Sequence, residues 1–135
     1  MSTSAIALAV FISWALFLLV LMELVRSYLV VAGRIASNEF KPDNSNLSPF
    51  MQRLARAHAN CVESLPVFGG LLVLALATGR TEITDPLALW LVLARVVQSS
   101  IHLASLRVLA VNARFAAFAA QMGIGVYWAY ALLAS

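Results

Sequence analysis

In a chain of 135 residues that is 62% hydrophobic and only 11% charged, each ionisable group is conspicuous. Glu23, Arg26, Glu63 and Arg95 fall within long apolar runs, two of each sign, and His102 follows with Gln98 close before it. Charges within a bilayer are rare and costly, and they are normally paired or functional. Three chemistries are open to such groups: mutual neutralisation, recognition of a charged small molecule, or movement of a proton. Arg53, Arg56, Asn60 and Glu63 recur at helical spacing and form one stripe. On that stripe an arginine suits a carboxylate, a glutamate suits an ammonium, and Asn60 can both donate and accept. Metal chemistry is not indicated, because His102 and Gln98 have no second His or acid at ligand spacing. A lone Cys61 excludes an intrachain disulfide and lies off the stripe, as a packing residue would. His58 lies opposite the stripe, a headgroup-level position.

The elements that must carry these groups are helices. A mean hydropathy of +0.90 in so short a chain implies a lipid solvent. The net charge of +3 comes without a basic tract, so anionic headgroups explain it better than nucleic acid does. The first apolar run lacks a basic n-region and is too long for a signal-peptide core, so it reads as a helix that stays. Four spans are predicted over residues 4–34, 49–79, 86–109 and 112–134, in a single domain 1–135. Residues 37–46 carry turn and breaker chemistry. Ser48-Pro49 reads as N-cap and N1 of the second helix, Pro66 kinks it, and Asp85-Pro86 repeats the start signal for the third. Gly123, Gly125 and the alanines of helix four read as close-packing positions. The fold class is all-α: an integral membrane, antiparallel four-helix bundle.

Cations set the expected orientation. Arg34, Lys41, Arg53, Arg56, Arg107 and Arg114 share one face and only Arg80 takes the other, so the crowded face is expected in the cytoplasm and both termini outside. Trp90, Tyr127, Trp128 and Tyr130 then form an aromatic belt near the outer boundary. At a rise of about 1.5 Å per residue, Glu23 and Arg95 reach similar depth and are expected to form a structural ion pair. Asn60, Glu63, His102 and Arg26 lie shallower, as the floor of a pocket open to the cytosol.

The stretch from Arg53 through Arg56, Asn60 and Glu63 to Pro66 resembles the helix-two signature of the MAPEG family, the membrane-associated proteins in eicosanoid and glutathione metabolism. Its pattern is R-A-x-x-N-x-x-E followed by an apolar run. The runs Ala94–His102 and Arg114–Gln121 look like the family's bacterial branch. The resemblance implies a homotrimer in the bacterial inner membrane that binds glutathione as co-substrate between subunits at the cytoplasmic side. It assigns Arg56, Asn60 and Glu63 to the tripeptide; depth and the helix-three stripe add His102, Arg26 and Gln98 beside them. The implied activity is a glutathione transferase or peroxidase acting on a lipophilic electrophile or hydroperoxide. Lowering a thiol pKa with nearby arginine charge is the required step. An ungapped match places His102 where the eicosanoid synthases carry a helix-three Tyr, and Ala59 where they carry a second Arg. It places Val111 on their thiolate-stabilising Arg, and Arg114, one turn later, or Arg107 is the substitute cation.

Two other readings compete. A small four-helix multidrug-type transporter would use Glu23 as its membrane-embedded carboxylate, against the long first loop and the expected neutralisation by Arg95. A catalytically inactive membrane scaffold would keep the bundle and lack the ligand.

Overall fold

The computed structural model describes residues 1–135. It contains four helices and no strand: α1 (Thr3–Val31), α2 (Pro49–Ala77), α3 (Thr81–Ala104) and α4 (Val108–Ala134). All four are long and apolar enough to cross a membrane. Only 29 of 135 residues are buried, and large apolar side chains such as Leu16, Phe17, Trp90 and Val126 point outward. A surface of that kind needs hydrocarbon around it, so this is an integral membrane protein.

Local chemistry sets the helix ends. Ser48 accepts from the Met51 amide at 3.3 Å and Pro49 takes the first helical position. Gly33 (φ 71°) and Gly79 (φ 69°) turn left-handed after α1 and α2. Each is followed by the long closing bond of a Schellman motif, Arg34 N to Leu29 O at 3.0 Å and Arg80 N to Ala75 O at 2.8 Å. The left-handed turn stops α1 at Val31, short of the predicted residue 34. α3 begins at Thr81, a turn before the Asp85-Pro86 signal. The reason lies on another helix. Asp85 Oδ1 accepts from the Ser4 amide at 2.8 Å and from the Ser4 hydroxyl, so its carboxylate caps α1 rather than α3. With α3 starting earlier, α3 and α4 also end and begin earlier than the pattern predicts, at Ala104 and Val108.

Two basic-face and far-face cations serve as C-terminal caps across the bundle. Arg53 Nε donates to Leu103 O at 2.8 Å, and Arg80 donates to Leu132 O at 3.0 Å and to Ser135.

α1, α2 and α3 pack mutually, while α4 packs along α3, meets α2 more sparsely and does not pack against α1. α1 buries Ser4, Ala7, Phe11, Ala15, Leu18 and Met22, a ladder at steps of three and four. α4 buries only Gln121, Gly125, Trp128 and Leu132. Its second half approaches α2 because Gly125 has no side chain: a Cβ there would stand 2.9 Å from the Phe68 ring. Its first half stands off, and that gap holds the site.

Candidate functional site

Arg95 is the one arginine, lysine or carboxylate that is buried, and it is 0% exposed. A buried guanidinium must find acceptors or leave several donors unsatisfied. Arg95 finds them on α2: Nη1 donates to Asn60 Oδ1 at 2.6 Å and Nη2 to Ser64 Oγ at 2.8 Å. Ser64 Oγ in turn donates to the backbone carbonyl of Asn60, four residues earlier, at 2.8 Å. Phe11 of α1 and Phe118 of α4 flank the guanidinium, with ring centroids 5.6 and 5.8 Å from its carbon. The expected Glu23–Arg95 pair does not form. Glu23 is 54% exposed and its carboxylate accepts from Arg26 Nη1, one helical turn away, at 3.2 Å. Similar depth was not enough, because the two side chains leave their helices in different directions and an intrahelical partner was closer.

Gln98 and Gln121 extend the network. Gln98 Nε2 donates to Asn60 Oδ1 at 3.0 Å, and Gln121 Nε2 donates to Gln98 Oε1 at 2.8 Å. Above them, where α4 stands off, Asn60, Gln98, Val111, Arg114, Phe115 and Phe118 line a cleft of about 220 Å³. Arg114 belongs to α4, and its Nη1 is buried with no hydrogen-bond partner. The cleft thus takes two amides from α2 and α3, and a guanidinium and two phenylalanine rings from α4. Such a space suits a ligand with an anionic or carbonyl group next to an apolar one.

Of the residues singled out in the sequence, Asn60, Gln98 and Arg114 meet in this cleft. His102 is buried one turn from Gln98 but does not line the cleft. Arg56 and Glu63 lie on the same helix as Asn60 but on its outer side, both exposed. Arg56 borders two other hollows, one with Pro42 and Asp43 and a smaller one with Arg53 and Leu106. The stripe is therefore split, its Asn60 edge turned into the bundle and its Arg56 and Glu63 edge turned away.

Arg26 is engaged elsewhere. It donates to Asn44 Oδ1 through Nε at 3.0 Å and through Nη2, reaches Lys41 O at 3.2 Å, and lies 5.4 Å from the Phe40 ring centroid. Its work is to hold the segment between α1 and α2 against the bundle. Asn44 is the other half of that anchor, fully buried, with φ of 56° and Nδ2 donating to Met51 O at 2.7 Å. Sequence reading passed over Asn44, since asparagine in a polar stretch looks like any turn residue. Ser64 was passed over too, although its spacing of four from Asn60 was a usable signal.

The fold and the cleft together describe a small four-span membrane bundle with a half-polar hollow beside its last helix. The chain matches the MAPEG family over residues 4–134, nearly its whole length, and belongs to that family. No curated protein and no solved structure matches it.

Proposed function

We propose that this chain is a glutathione-binding MAPEG protein that acts as a transferase or peroxidase on lipophilic electrophiles or hydroperoxides. The observation that carries this reading is that Val111 and Arg114 line one cleft together with Asn60 and Gln98. Val111 occupies the position that carries the thiolate-stabilising arginine in the eicosanoid synthases. Arg114, one turn on, brings a guanidinium to the same space, with its Nη1 unpartnered. A cation beside the glutathione sulfur favours the thiolate, which is the nucleophile. The thiol proton leaves to solvent, and the thiolate attacks the electrophile held against Phe115 and Phe118, forming an S–C bond as the electrophile's leaving group departs with its electron pair. With a hydroperoxide the S–O bond forms as O–O breaks to release the alcohol, and a second glutathione then reduces the sulfenic acid to disulfide and water.

The assembly proposed is a homotrimer. Arg56 and Glu63 are exposed on a single chain within a membrane-spanning helix. Glu63 lies midway along α2, where a charge facing lipid costs about 2.5–3.5 kcal/mol, while Arg56 lies nearer the helix start, where the cost is lower. A neighbouring subunit, with glutathione between, removes that cost. Arg56 then takes a carboxylate and Glu63 the ammonium of the tripeptide. The cation-rich face is proposed to be cytoplasmic, in a bacterial inner membrane, with both termini on the other side.

Titrating detergent-purified protein with glutathione, while following conjugation of a generic electrophile, tests this reading. Wild type should bind and turn over. Arg114→Met should keep most of the affinity and lose roughly a hundredfold in rate, the usual loss when a group stabilising developing charge is removed. Wild type that shows no glutathione binding at millimolar concentration defeats the proposal.

A further inference from the structure

An asparagine amide has two unlike ends, and which end faces the cleft decides what the cleft can bind. Arg95 settles this for Asn60. A guanidinium has N–H donors and no acceptor, so the atom facing it at 2.6 Å must be an oxygen. The far end of the network imposes the same direction. Gln121 Nε2 donates at 3.2 Å to the backbone carbonyl of Ala117, which only accepts. The same nitrogen donates to Gln98 Oε1, leaving Gln98 Nε2 for Asn60 Oδ1 at 3.0 Å. A charge at one end and a peptide carbonyl at the other therefore orient three side-chain amides in one sense. Both lone pairs of Asn60 Oδ1 are used, and its Nδ2 donates to nothing in the protein. Gln121 Oε1 and Arg95 Nε, both buried without a partner, are the polar atoms this arrangement leaves unsatisfied.

We propose that Arg95 is a positioning residue which makes Asn60 a pure hydrogen-bond donor to the cleft. Asn60 Nδ2 and the Arg114 guanidinium then hold an anionic group of the ligand, carboxylate or thiolate, and turn its ammonium away toward Glu63. The identity of the ligand rests on the glutathione reading above; the direction of the amide does not.

Asn60→Asp is the discriminating variant. The substituted carboxylate can still accept from Arg95 and Gln98, and gives Arg95 an opposite charge, but offers no donor to the cleft. The expected result is a thermal midpoint at or above wild type, with glutathione affinity at least about tenfold weaker, as for a lost hydrogen bond to a charged group. Affinity equal to or tighter than wild type overturns the proposal, because an oxygen would then already face the ligand. Asn60→Leu, which satisfies nothing, should lower the midpoint. If Asn60→Asp is destabilised as much as Asn60→Leu, the amide direction is wrong, and this arm decides even if wild type binds no glutathione.

Arg95→Lys keeps a donor-only partner and should retain affinity. Arg95→Met removes the constraint while replacing an acid-less buried charge by an apolar chain, a change a core tolerates. It should stay folded and bind glutathione at least about tenfold more weakly; a folded Arg95→Met with wild-type affinity overturns the positioning role. S-methylglutathione tells the two anions apart. The Asn60→Asp penalty persists with it if a carboxylate is held and vanishes if the thiolate is, and either result supports a donor-only cleft.

Discussion

Along α1 a buried residue recurs at every turn from Ser4 to Met22, whereas α4 buries nothing before Gln121. Both helices are strongly apolar, so hydropathy alone does not separate them. The difference lies in what faces the neighbours. α1 offers small and large residues in alternation, Ala7, Phe11, Ala15 and Leu18, which interlock with α2 and α3. The first half of α4 instead turns Val111, Arg114, Phe115 and Phe118 toward a cleft. The ladder builds the bundle, and the site opens where the ladder lapses.

The sharpest way to break that comparison is to truncate one phenylalanine on each helix. Phe11 is fully buried and flanks Arg95, while Phe115 is 64% exposed. Phe11→Ala removes packing worth about 3–5 kcal/mol in a soluble core. It should give the largest fall in thermal midpoint of any single apolar truncation in α1. Phe115→Ala should shift stability by no more than about 0.5 kcal/mol, while weakening capture of a lipophilic substrate. Equal destabilisation by the two would mean that α4 is packed along its whole length.

A smaller contrast exists within α4 itself. A Cβ on Gly125 meets Phe68, whereas one on Gly123 meets nothing within 4 Å. Gly125→Ala overpacks the α2–α4 contact and should cost about 1–3 kcal/mol. Gly123→Ala should be neutral or stabilise by up to about 1 kcal/mol, since alanine is the better helix former. Thermal unfolding of both variants in one detergent reads the sign directly.

The smallest effect is expected at Glu23. Its only ion-pair partner is Arg26 on the same helix, with its own side chain half exposed. Such pairs contribute about 0–1 kcal/mol, so Glu23→Gln should leave the thermal midpoint nearly unchanged. A stable Glu23→Gln variant that abolished export of an organic cation would instead revive the transporter reading.

Much of this arrangement is readable from residue types and spacing. Composition and run length imply four spans, and Ser48-Pro49 marks the start of α2 as built. Asn60, Gln98 and Arg114 belong to stripes that do converge. The failures share a cause. Helical wheels and depth estimates treat one helix at a time, so they match Glu23 with Arg95 by sign and height. They cannot see that two neutral groups on α2, Asn60 and Ser64, lie closer to that guanidinium. The Asp85-Pro86 signal misleads similarly, because the aspartate caps a helix 81 residues away in sequence. Asn44 carries no pattern at all, since its value depends on a left-handed backbone and on Arg26 arriving from another element.

The Asp85 contact bears on how the molecule comes into being. α1 is synthesised first, yet the carboxylate that receives its Ser4 amide belongs to the third helix. When α1 first enters the bilayer, Ser2 Oγ can serve the Ala5 amide at 3.1 Å, but the Ser4 amide has no such local acceptor. The first turn of α1 is completed only after α2 has crossed and brought the start of α3 beside it. Birth order along the chain and order of completion in the membrane therefore run in opposite directions at this end of the bundle.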